Sequence, residues 1–302
     1  MGTPPTAFLI PVHPIVELGF FLCAIGLGVF LLSPPFALVG AGAAALTLLL
    51  LQGRSAGRLI GAAVPLAAVV ALANPLFVPL GQTVLFTYAG GRPYTAEALA
   101  CGAMVAALLA AVLWWFASFN RVMDTVKLLY LFGRFAPAVS LTLTLVLRLV
   151  PSFGRRASAV AEARAGIGLG RGSGTKVPAI ARVREATVVL ASVSAWSLEH
   201  GMATAGAMES RGFGTGRRTT VPCWSFRWRD GAALGLMGAL AAVVVAGAAL
   251  GATEATFFPR VAMPAAEPMF GASLAAYGLL LLLPALVMGR ERLRWHFSRA
   301  RR

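Results

Sequence analysis

Residues 95 to 116 read "TAEALACGAMVAALLAAVLWWF", and beyond Glu97 the stretch carries no charge. As α-helix, at 1.5 Å per residue, it reaches about 33 Å, enough to cross a hydrocarbon core ~30 Å thick. Lipid offers no partner to a backbone amide, so a run of this kind has to satisfy its own hydrogen bonds as a helix. The same signature recurs outward in both directions, at approximately Ile15 to Leu32, Phe36 to Leu51, Leu59 to Val78, Gly231 to Leu250 and Phe270 to Val287. With 58% hydrophobic and 12% charged residues among 302, and a mean hydropathy of +0.79, the chain has too little polar surface to coat a water-soluble globule. The expected fold is all-α, a polytopic helical membrane protein with about six transmembrane helices.

The formal charge of +15 is placed as a membrane topology would place it. With both termini in the cytoplasm, only Arg92 and Arg260 of the 26 basic residues fall outside, and the tail "RERLRWHFSRARR" falls inside. Topology and attraction to anionic lipid account for the charge, and nucleic-acid binding is not needed to explain it. The first apolar run has no basic segment before it and no clear small-residue cleavage site after it, so it is expected to be retained as a helix. Cys23 and Cys101 lie inside expected spans, and with Cys223 they read as packing residues rather than a disulfide framework.

Three segments follow: N-terminal helices 1 to 4 over residues 1–118, a charged helical region over 119–230, and helices 5 and 6 with the basic tail over 231–302. Between Asn120 and Asp230 the chain holds 16 basic and 6 acidic residues, yet also long apolar periodic runs that must be buried against something. There "RVMDTVKLLYLFGRF" alternates charge and bulk as a helix at the membrane surface does. A long helix through Pro151, with a kink there, is expected to end at glycine near residue 166, and one long helix or two in sequence run from about 177 to 212. The pairs Ala191 and Ala195, Gly201 and Ala205, and Ala203 and Ala207 have the spacing that lets helix backbones approach, so tight crossings are expected. In "YAGGRPY", Gly90 suits a tight turn and a small hairpin.

Catalytic chemistry finds little material. The middles of the six spans contain no ionisable group, and Glu17 and Glu97 stand near span beginnings, where they can reach water or complement a helix N-terminus. His13, His200 and His296 are far apart, no HExxH or CxxC occurs, and His200 beside Glu199 reads as a polar patch on a helix face. "GIGLGRGSGTK", residues 166 to 176, misses both GxGxxG in register and GxxxxGK[ST], since Thr175 precedes Lys176, and it reads as a loop between helices. No catalytic residue, cofactor or metal is expected.

Two arginines stand out at helix ends. Arg211, before Gly212 in "AMESRGFGTG", can neutralise the negative end of its own helix or offer a rigid fork to a partner's carboxylate. Arg164 in "AEARAGIG" stands at a second helix end, and two exposed arginines on two crossing helices favour docking.

With "ARA" at 163 to 165 and "SRG" at 210 to 212, the chain resembles the transmembrane T component of energy-coupling factor transporters, whose signature is a pair of Ala-Arg-Gly motifs at the ends of two coupling helices. The likeness extends to "HP" at 13 to 14, "NPLF" at 74 to 77, "YLFG" at 130 to 133, "VLRLVP" at 146 to 151 and "MESRGFG" at 208 to 214. Ala165 and Ser210 depart from the motif while keeping small side chains.

The resemblance implies a non-enzymatic subunit of the plasma membrane with long cytoplasmic coupling helices. Its implied docking residues are Ala163, Arg164, Ala165, Ser210, Arg211 and Gly212, which would meet two ABC ATPase subunits. A separate substrate-binding S component in the membrane would capture a vitamin or micronutrient, metal ions included. Two other classes stay open: a polytopic membrane enzyme acting on lipid, and a lipid-binding scaffold with a basic cytoplasmic region.

Overall fold

A computed structural model describes residues 12–78, 81–88, 92–168, 179–216, 224–253 and 268–299. The chain divides into two compact units, Met1–Lys127 with Trp224–Arg302, and Leu128–Cys223.

The first unit is a helical bundle. Its elements are α1 (Pro14–Phe30), α2 (Pro34–Gln52), α3 (Ala56–Phe77), β1 (Val84–Tyr88), β2 (Arg92–Thr95), α4 (Ala96–Val122), α8 (Trp228–Ala249) and α9 (Pro268–Arg299). Between them in sequence come α5 (Thr125–Phe135), α6 (Pro137–Gly166) and α7 (Ala179–Ser210). The starts of these helices are written in the sequence. Pro14, Pro34 and Pro137 occupy first-turn positions where a missing N–H costs nothing. Thr95 caps α4 by accepting from the Ala98 amide, and the Asp230 carboxylate accepts from the Arg227 amide at 2.9 Å to start α8.

Each of the six expected spans is a helix. Helix α4 packs against α1, α2 and α3, while α9 lies against α2 and α8. Trp115, 1% exposed, anchors the core with its ring 5.5 Å from Phe20 and 6.2 Å from Phe21, both edge-on. Tyr277 and Phe36 fill the adjoining layer. Small residues set the closest approach: a Cβ on Gly102 would stand 2.6 Å from the Ala71 carbonyl oxygen of α3, so only glycine fits there. Around this core, Leu22, Phe30, Leu38, Val69 and Leu236 point outward, an arrangement suited to a hydrocarbon solvent.

Among the described residues, five stretches are long and apolar enough to cross a membrane: Pro34–Phe77, which joins α2 and α3, then Ala96–Val122, Ala138–Gly166, Trp228–Ala249 and Pro268–Met288. Helix α1 is apolar but shorter, at 17 residues. The third stretch belongs to the charged middle region, because the first half of α6 carries little charge and its arginines collect toward the end.

The expected hairpin is present as an antiparallel pair with Thr87 opposite Pro93, and its turn at Gly90 lies outside the described residues. Cys23 and Cys101 carry free thiols, and Cys223 is outside the described residues.

In the second unit, α6 runs unbroken through Pro151, and α7 is one helix of 32 residues rather than two. The loop at 169–178 lies outside the described residues. The two helices are antiparallel: Arg164 meets Glu185, and farther back Phe153 meets Trp196 edge-on at 6.1 Å. The expected tight crossing through small residues does not occur. Ala191, Ala195, Gly201, Ala203, Ala205 and Ala207 are all exposed. Small side chains permit close approach without driving it, and here a ring contact, the Arg156 guanidinium 5.6 Å from the Trp196 ring centroid and an ion pair hold the helices instead.

Candidate functional site

Helix α7 ends as its sequence directs. Gly212 takes φ +79, the left-handed conformation that glycine adopts without cost. Its amide donates to the Glu209 carbonyl at 2.9 Å, and the Phe213 amide donates to Met208 at 3.0 Å. These two bonds are the Schellman pattern, which satisfies the last carbonyls of the helix. Ser210 Oγ donates back to Ala207 at 3.0 Å, and the Thr215 hydroxyl donates to Gly212 at 2.7 Å, so the turn is fixed on both sides. Arg211, at the cap itself, is exposed and has no partner among the described residues, with Phe213 53% exposed beside it.

The first arginine is built differently. Where glycine would stop the helix directly after Arg164, Ala165 lets it continue through Gly166, and the positive φ of +77 comes only at Gly168. Arg164 therefore stays in the last turn of α6, alongside α7. Its Nε donates to Glu185 Oε1 at 2.6 Å and its Nη2 to Oε2 at 2.9 Å, a bidentate pair with side chains 25% and 27% exposed. The hydrogen bonds from Arg164 hold the Glu185 carboxyl below its usual range. This corrects the expectation of two exposed arginines, since the Arg164 fork is occupied by a carboxylate of its own chain. Ala163 is exposed and Ala165 half-buried on the same turn.

No protein-family model matches the chain, and no curated protein matches it.

The two arginines stand at opposite ends of the helix pair. Glu185, which marks the position of Arg164, and Ser210, which precedes Arg211, are separated by about 38 Å of continuous helix at 1.5 Å per residue. At that separation they cannot grip one carboxylate together.

Elsewhere the singled-out residues tie helices. His13 Nδ1 accepts from the Ile15 amide to cap α1, while its own amide donates to Asp230 at 3.4 Å. Asn74 Nδ2 donates to the Ala98 carbonyl at 2.8 Å, joining α3 to α4. Glu17 and Glu97 stand in the first turns of α1 and α4, where a carboxylate complements the helix N-terminus, and they take internal partners rather than water: Glu17 pairs with Lys127, and Glu97 accepts from the Thr83 hydroxyl at 2.8 Å and from its amide at 3.1 Å. Both carboxylates are buried, and burial makes an internal donor worth more than partial hydration. His200, beside Glu199, is exposed and stacks on Trp196 at 4.9 Å. Among the described residues no group of three or more His, Cys, Asp or Glu side chains could hold a metal ion. Glu185 carries no motif in the sequence, and only the antiparallel docking of α7 on α6 reveals its role.

Proposed function

We propose that the chain is the energy-coupling transmembrane component of an importer of the energy-coupling factor class. In this reading it passes the movements of two ABC ATPase subunits to a substrate-binding S component for vitamin or micronutrient uptake, metal ions included. It sits in the plasma membrane with both termini cytoplasmic and the α6–α7 region in the cytoplasm and at the membrane surface, its basic surface against anionic lipid, and the partners hydrolyse the ATP. The observation that carries the reading is the Arg211 tip: an arginine with no partner among the described residues, on a glycine-capped helix end within "MESRGFG", with the second motif arginine about 38 Å away along the helix pair. That separation suits one tip for each of two ATPases better than a single clamp. A helix of 32 residues can act as a rigid lever between them.

The test is co-expression of the chain with its ABC ATPase subunits and purification through a tag on the chain. Replacing Arg164 and Arg211 together with alanine is expected to abolish ATPase capture while membrane insertion stays normal. Capture at wild-type yield by the double variant would remove the connector role.

A further inference from the structure

The two tips differ in a way that follows from one residue. Glycine directly after Arg211 ends α7 at Ser210 and leaves the arginine as the exposed C-cap residue. Alanine after Arg164 keeps α6 helical for two more residues, so the guanidinium remains beside the antiparallel α7 and within reach of Glu185. The contact is side-on, through Nε and Nη2, the geometry in which a planar guanidinium matches both oxygens of a carboxylate.

We propose that Glu185 is a built-in competitor for the docking carboxylate: it keeps the Arg164 tip closed until an acidic side chain of a partner displaces it, so the Arg211 tip engages first. The proposal rests on the docking reading above. Its chemistry is an exchange of one carboxylate for another on the same guanidinium. The incoming acid meets a fork whose charge is already neutralised and whose nearest neighbour is a like charge, so approach is disfavoured while Glu185 is in place. Once the Arg211 tip has bound and holds a partner nearby, the swap costs little, because an ion pair about three-quarters shielded is replaced by another of the same kind. No comparable carboxylate partner holds Arg211 among the described residues.

Two measurements test this on the full-length protein in detergent. The first needs no partner: phenylglyoxal modifies accessible guanidinium groups, and peptide mass spectrometry follows each arginine separately. In the wild type Arg164 is expected to react more slowly than Arg211, and Glu185→Gln is expected to speed Arg164 by roughly fivefold, the scale of a partly exposed ion pair, while leaving Arg211 unchanged. Equal rates in the wild type, or no change in Glu185→Gln, would overturn the closed state.

The second uses ATPase capture after co-expression. Arg211→Ala alone is expected to lose most capture, Arg164→Ala less, and Glu185→Gln is expected to restore capture to Arg211→Ala by opening the other tip. If Glu185→Gln leaves Arg211→Ala unrescued, or weakens capture further, Glu185 supports docking rather than competing with it, and the proposal fails. If the wild type captures no ATPase, the docking reading fails with this proposal's ordering, and the labelling still decides whether Arg164 is closed.

Discussion

Lys127 Nζ stands 2.7 Å from Glu17 Oε2, joining the first turn of α1 to the first turn of α5 across 110 positions of sequence. The ammonium also donates to the Val122 carbonyl at the end of α4, at 3.0 Å, so one side chain ties three helices. With side chains only 9% and 19% exposed, neither charge can turn fully to water if the other is lost. Glu17→Gln or Lys127→Met alone should therefore destabilise the detergent-solubilised protein by about 2 kcal/mol. The double replacement Glu17→Gln with Lys127→Met should cost less than the sum of the two, and a thermal-unfolding double-mutant cycle reads the difference. Additive losses would show that the pair is not coupled.

Gly102 makes a second prediction. Its missing Cβ is what lets α4 approach the Ala71 carbonyl of α3, and Asn74 of the same turn donates to Ala98. Gly102→Val must push the helices apart and should cost about 1 to 3 kcal/mol of stability, whereas Asn74→Ala, which loses one hydrogen bond, should cost about 1. Glycines with open space around them, such as Gly26 and Gly42, should accept alanine with no loss, and parallel melting curves decide between these cases.

At the tip of α7 the prediction is local. Gly212→Val forces a branched side chain into φ +79 and should unravel the Schellman turn at a cost of about 1 to 2 kcal/mol. Hydrogen exchange at the amides of Gly212 and Phe213 should accelerate, while amides in the middle of α7 keep their protection. ATPase capture should fall with it even though Arg211 is untouched.

The Arg164–Glu185 pair sets a pH dependence. The Glu185 carboxyl lies below its ordinary value because Arg164 donates to its charged form. A depressed carboxyl contributes stability that is complete above its unfolded value, near 4.5, and is lost as the pH falls through the folded value beneath that. Contact between the end of α6 and the start of α7 should thus loosen only below pH 4.5, read by exchange or by cross-linking of cysteines placed on the two helices. In Glu185→Gln this acid transition should disappear, and its persistence would assign it to another group.

Much of the bundle was open to reading because lipid leaves the backbone no alternative. A long uncharged run must be helix, so the spans, the proline starts and the hairpin around "YAGGRPY" follow from composition and turn chemistry. The stop at Gly212 was equally legible, since a glycine after a helical run provides the left-handed residue that the terminal carbonyls require. Tertiary structure alone decided the rest. The small residues of α7 permitted a crossing that the chain does not make through them. Glu17 and Glu97, each near a helix start, were drawn inward by Lys127 and Thr83 rather than outward to water.

The sequence by itself determined that this is a helical membrane protein with two arginines near helix ends, because hydropathy and glycine conformational freedom act within a few residues of chain. That one arginine is held, while the other has no partner among the described residues, depended on α7 returning antiparallel along α6. Pairing between residues 21 positions apart leaves no mark in composition or spacing, since a charge meets its partner only when the helices are packed side by side.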